Sequence, residues 1–179
     1  VLHWLAYVLD MVMAILFFMP FYMKLLRFPN FRMEIYAYGI LPRSLITLTA
    51  IVVAALEFIL FLAFTSGLFD VWKELAAALL LGLFALFTWR KIRMTGIEAC
   101  ACYGEIAFLN RYPVQRNLIL IGLLTLGMFL HSGVRDLNVI LNSLLFVMAM
   151  SFFIELVQFA WSKKKRREHS EQSESAVPM

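Results

Sequence analysis

The stretch Ser44-Leu-Ile-Thr-Leu-Thr-Ala-Ile-Val-Val-Ala-Ala-Leu-Glu-Phe-Ile-Leu-Phe-Leu-Ala-Phe64 carries a single charge, Glu57, in 21 residues. As a helix rising about 1.5 Å per residue it covers roughly 30 Å, the thickness of a bilayer's hydrocarbon core. A soluble core helix seldom runs so far without a polar face. Four further apolar runs flank it: Leu2–Met23, Val71–Trp89, Asn117–Leu130 and Val139–Trp161. Hydrophobic residues make up 63% of the 179, against about 45–50% in soluble domains. The reading is an all-α integral membrane protein, with about five transmembrane helices over residues 1–161. Residues 162–179 form a basic, then Ser/Glu-rich tail, expected to lack order for want of apolar surface to bury.

The formal net charge of +4 does not point to nucleic acid, because the basic residues cluster between apolar runs. Lys24, Arg27, Arg32 and Arg43 lie between the first two runs; Arg90, Lys91, Arg93, Arg111 and Arg116 lie between the third and fourth. The intervening connectors hold only Lys73 and Arg135, and the chain closes with Lys163-Lys-Lys-Arg-Arg167. Rich and poor segments alternate, as five true spans require under the positive-inside rule. The expected topology places the N-terminus outside and the tail in the cytoplasm, with basic segments touching anionic lipid. The same alternation argues that the short Asn117–Leu130 run spans. The opening apolar run is read as a retained helix rather than a signal peptide, since no small-residue cleavage site ends it.

Asp10, Glu57 and Glu155 fall inside expected spans, where carboxylates are costly and face the bundle or a cavity. Glu57 has two readings: a proton acceptor linked to redox chemistry, or a neutral carboxyl hydrogen-bonded between helices. Lys24 follows the first run and either snorkels to the interface or pairs with Glu57 or a substrate, although the two are expected at different depths. Trp4, Trp72, Trp89 and Trp161 lie near run ends, as in an aromatic belt.

Both cysteines, Cys100 and Cys102, lie in Gly96-Ile-Glu-Ala-Cys-Ala-Cys-Tyr-Gly104. Thiols at i and i+2 can join only across a tight turn or extended backbone, within the usual Cα separation of about 4.4–6.8 Å. Disulfides strained in this way exchange readily. The alternative is two inert thiols packed as small hydrophobes. No metal is expected, because the histidines His3, His131 and His169 are far from the pair in sequence and zinc takes about four ligands.

These residues resemble the MauE branch of the MauE/DoxX membrane proteins. The matching features are Lys24-Leu25, Tyr38-Gly-Ile-Leu-Pro42, Leu56-Glu57, Gly96 with Cys100-Ala-Cys-Tyr-Gly104, and Arg116-Asn117-Leu118. The resemblance implies a four-helix core plus a C-terminal helix. It also implies redox-active Cys100 and Cys102 that help form or maintain disulfides in exported proteins, often beside a thioredoxin-like partner. DoxX relatives are associated with quinone-linked sulfur oxidation, so a quinone is an implied option as cofactor. A competing expectation is a non-catalytic subunit of a larger respiratory or secretory membrane complex. The charge bias puts the cysteines on the cytoplasmic side, opposite exported substrates. A loop exposed alternately, a relay through a partner, or an inverted orientation would reconcile the two.

Overall fold

A computed structural model describes residues 2–39, 41–95, 112–130 and 133–175. Six helices account for almost all of these: α1 (Leu2–Leu26), α2 (Phe28–Ala37), α3 (Arg43–Ser66), α4 (Asp70–Thr95), α5 (Pro113–Met128) and α6 (Leu137–Ser175). No strand occurs among the described residues. The segment 96–111, with Cys100 and Cys102, lies outside them.

Among the described residues, four helices are long and apolar enough to cross a membrane: His3–Leu26, Arg43–Ser66, Asp70–Met94 and Leu137–Trp161. The 16-residue α5 reaches only about 24 Å, short of the hydrocarbon thickness. Thinning of the bilayer accommodates such a helix. α1 packs along α3, and α4 along α5, while α6 rests against α1. Only 17% of the apolar stretch of α6 is buried, so this helix sits at the periphery and offers most of its surface to lipid.

Lipid tails are as apolar as leucine, so helix contact is decided by close packing. Ala14, Ala50 and Ala77 are fully buried, and their small side chains let the helices approach. Phe17 stacks on Phe64 at 5.8 Å between ring centres, and Phe18 meets Phe61 at 4.9 Å. These pairs lock α1 against α3. Trp4, Trp72, Trp89 and Trp161 are all exposed, near the ends of the apolar spans as an interfacial belt requires.

Three boundaries differ from the sequence reading. α1 passes through Pro20 and continues to Leu26, three residues beyond the expected end at Met23, so Lys24 belongs to the helix. The proline ring removes one backbone bond, a loss that neighbouring helices in a membrane bundle can compensate. The connector between the first two spans is partly helical. In α2, Pro29 occupies the first turn, which suits its fixed φ, and Phe31 and Ile35 are buried against Ile46 and Ala50 of α3. Finally, the α6 backbone runs on from Trp161 to Ser175, through residues expected to lack structure. Lys, Arg, Glu and Gln there are good helix formers.

α3 ends at Gly67, whose φ of 71° lies in the left-handed region and whose N–H returns to the Ala63 carbonyl. A Cβ at Gly67 would stand 2.7 Å from the Gly133 carbonyl oxygen, a backbone atom that cannot step aside, whereas one at Gly82 meets nothing within 4 Å. Gly67→Ala is therefore expected to cost about 1–3 kcal/mol of stability. The check is the midpoint of thermal helix loss in detergent, compared with Gly82→Ala. Equal midpoints for the two variants would contradict this close approach.

Candidate functional site

Lys24 on α1 and Glu57 on α3 form a salt bridge in the interior, Lys24 Nζ donating to Glu57 Oε1. Their side chains are only 4% and 2% exposed. Both sit on long apolar helices, so their charges meet only because the antiparallel pairing of α1 and α3 sets them at one depth. The different depths expected from sequence vanish once α1 continues beyond Met23 to Leu26 and carries Lys24 as a helical residue. The ammonium also lies 4.7 Å from the Phe31 ring centre and 4.9 Å from that of Phe84. Aromatic faces of this kind attract a cation, more so out of water.

Glu57 has Lys24 as its partner through Oε1, while Oε2 is buried without a hydrogen-bond partner among the described residues. A narrow cavity opens beside the pair, bordered by Pro20, Phe84 and Thr88 and by Arg116 and Asn117 at the start of α5. Its volume of about 20 Å³ holds roughly one water molecule. The Arg116 guanidinium donates to Asn117 Oδ1 at 3.1 and 3.3 Å, and Asn117 is buried. The structure thus brings together Lys24, Glu57, Arg116 and Asn117, which are scattered along the sequence. Cys100 and Cys102 are outside the described residues, but the flanking helix ends, Thr95 of α4 and Tyr112 before α5, belong to this same end of the bundle.

The Thr88 side adjoins a second polar group. Tyr38 packs tilted against Phe87, at 6.3 Å between ring centres, and Lys91 lies 5.5 Å over its ring. Lys91 approaches Glu34 of α2 at 3.8 Å. Burial, with the Glu34 carboxylate adding to it, pushes the Tyr38 phenol from 10.0 up to about 12, against an opposing hydrogen bond from Thr88.

A second buried charge cluster occupies the opposite end, and the sequence reading did not assemble it. Asp10 of α1 accepts from Arg135 Nη2 at 2.6 Å and from Lys73 Nζ at 3.2 Å. Lys73 is also 3.6 Å from Glu74, whose Oε2 has no hydrogen-bond partner among the described residues. Arg135 Nη1 donates to the Phe64 and Thr65 carbonyls at 2.6 and 2.8 Å. Those carbonyls belong to the last turn of α3, where helix geometry leaves acceptors unpaired. Arg135 therefore caps α3 and neutralises Asp10 at once. Glu155, the remaining carboxylate that the sequence placed within a span, meets the Tyr22 hydroxyl across α6 and α1 and stands apart from both clusters.

Two outcomes follow. Lys24→Met leaves a buried carboxylate alone and is expected to destabilise the protein by about 3–5 kcal/mol, whereas Lys24→Met/Glu57→Leu recovers most of the loss. Thermal unfolding of the single and double variants checks this. For Tyr38, the folded chain holds the phenol's proton from pH 10.0 to about 12, while the unfolded chain releases it. Stability must then fall as pH rises through that window. The absorbance difference between wild type and Tyr38→Phe should titrate with a midpoint near 12 rather than 10.

The resemblance drawn from individual residues is matched by comparison with known families. The family described as methylamine utilisation protein MauE matches this chain over residues 2–130, from α1 to just beyond α5. No curated protein and no solved structure gives a significant match. With its all-helical architecture and apolar spans, the chain belongs to the MauE family of multi-pass membrane proteins.

Proposed function

We propose that this protein is a membrane thiol–disulfide redox component whose Cys100 and Cys102 cycle between dithiol and disulfide. A thioredoxin-like protein is the exchange partner, and the pathway supports disulfide formation or maintenance in exported proteins. One observation carries the reading. A buried lysine–glutamate pair with an unpartnered carboxylate oxygen lines a water-sized cavity at the end of the bundle where Thr95 and Tyr112 flank the cysteine segment. Membership of the MauE family supports a redox-associated accessory role.

In the proposed exchange a cysteine thiolate attacks a sulfur of the partner's disulfide and displaces the partner's other sulfur as thiolate. The second cysteine of the pair then attacks the first, forming the Cys100–Cys102 bond and releasing the partner's remaining sulfur. Two electrons leave the pair and two reduce the partner; the two protons lost by the pair balance the two taken up by the partner's thiols. A dithiol of a cytosolic pool then reduces the Cys100–Cys102 bond by the same two-step exchange, itself becoming a disulfide, and returns the pair to its starting state. A dithiol must shed protons to react, and Glu57 is the group proposed to hold one, with the Lys24 ammonium stabilising whichever neighbour is anionic. A quinone ring does not fit the cavity beside Glu57, which admits about one water, so no step is routed through one.

The surplus of basic residues at the cysteine end supports a cytoplasmic location for it. Lys73 and Arg135, the two basic residues at the other end, are engaged in buried ion pairs and add little outward charge.

The experiment is to express Cys100→Ser and Cys102→Ser separately, quench cells with acid and alkylate. Covalent partner adducts are then resolved on non-reducing gels. At least one variant should accumulate a reducible adduct containing a thioredoxin-like protein, and the double variant should accumulate none. If neither single variant traps a partner and the double variant sustains normal disulfide formation, the chain is a non-catalytic subunit with inert thiols.

A further inference from the structure

α2 and the first turns of α3 enclose an open groove of about 450 Å³, bordered by Pro29, Arg32, Met33, Tyr36, Arg43 and Ile46. We propose that this groove binds the headgroup of an anionic phospholipid, with the lipid's glycerol and upper acyl chain lying on Met33 and Ile46.

The argument starts from charge. Two guanidinium groups border the groove and no carboxylate does. The acidic residue of α2, Glu34, is directed instead toward Lys91 on α4. Arg43 is held in place: its Nη2 donates to the Tyr36 hydroxyl at 3.2 Å, and its guanidinium lies 5.4 Å over the Tyr36 ring. A guanidinium has five N–H donors, so this contact leaves others to reach a phosphodiester, for which the planar fork is well matched. Arg43 is also the first residue of α3, whose N-terminus has no side-chain cap. The positive end of the helix dipole adds to the field there.

Depth and polarity select a lipid over a soluble anion. Arg43 stands at the polar boundary of a membrane-crossing helix, so the groove opens at headgroup level. Below it the surface is apolar: Ile46 is buried as a floor, while Met33 is 67% exposed and Leu45 and Leu48 also face outward. A free phosphate gains nothing from these residues, whereas an acyl chain covers them. Basic pockets between membrane helices bind anionic lipids for these reasons.

The test is native mass spectrometry of the detergent-solubilised full chain, titrated with phosphatidylglycerol or with phosphatidylcholine of the same acyl chains. The wild type should retain phosphatidylglycerol in preference to phosphatidylcholine. Arg32→Gln/Arg43→Gln should weaken phosphatidylglycerol retention about tenfold and leave phosphatidylcholine unchanged. Arg90→Gln/Arg93→Gln removes the same charge from exposed residues of α4 outside the groove, and should retain phosphatidylglycerol within about twofold of wild type. Equal loss in both double variants, or no lipid preference in the wild type, overturns the proposal in favour of diffuse surface attraction. Unchanged helicity of both variants by circular dichroism excludes misfolding as the cause.

Discussion

A lysine and a glutamate removed together from water and lipid set the terms for the rest of this bundle. Neither Lys24 nor Glu57 is tolerable alone at that depth, because an isolated buried charge costs several kcal/mol even after the protein relaxes. Their attraction offsets this only when the two helices that carry them are fixed in register. The phenylalanine pairs between α1 and α3, Phe17 with Phe64 and Phe18 with Phe61, supply that register. Aromatic faces then replace part of the ammonium's lost hydration. The pair is a constraint on packing before it is anything else, and its chemistry is available because the packing is obeyed.

The second cluster extends the same logic to the opposite end. Asp10, Lys73, Glu74 and Arg135 bring α1, α4 and the approach to α6 onto the last turn of α3. About 14 residues of α1 separate Asp10 from Lys24, or roughly 21 Å, so one helix carries a charged anchor near each face of the membrane. The ends nevertheless differ. Basic residues at the Asp10 end are internally neutralised, whereas Arg32, Arg43, Arg90 and Arg93 at the other end are exposed. A field of one sign on one face orients the protein and attracts anionic partners.

Much of this was legible in the chain itself. Apolar runs of span length gave four of the crossing helices, and charge alternation argued for α5 despite its shortness. Local cues failed where distant ones decided. The apolar run fades at Met23, yet the helix continues to Leu26, and that one change of boundary makes Lys24 part of the helix that pairs with Glu57. The α2 helix is too short to show in a hydropathy scan, although Phe31 and Ile35, four apart behind Pro29, mark its inner face. The Asp10 cluster joins residues 63 and 125 positions apart, a proximity no local pattern encodes. Arg135 looked like a lone topology signal because its role as a cap depends on where α3 ends. The cysteine element was visible as a motif, and its place in the bundle lies outside the described residues.

The central claim is that thiol oxidation and the buried carboxylate are coupled through one site. Infrared difference spectroscopy of the protein in lipid, taken between its reduced and oxidised forms, addresses it directly, with the Glu57 carboxyl band assigned by Glu57→Gln. The account predicts a Glu57 band that changes on oxidation and disappears from the difference spectrum when both cysteines are replaced by serine. A Glu57 band indifferent to the redox state of Cys100 and Cys102 would contradict it.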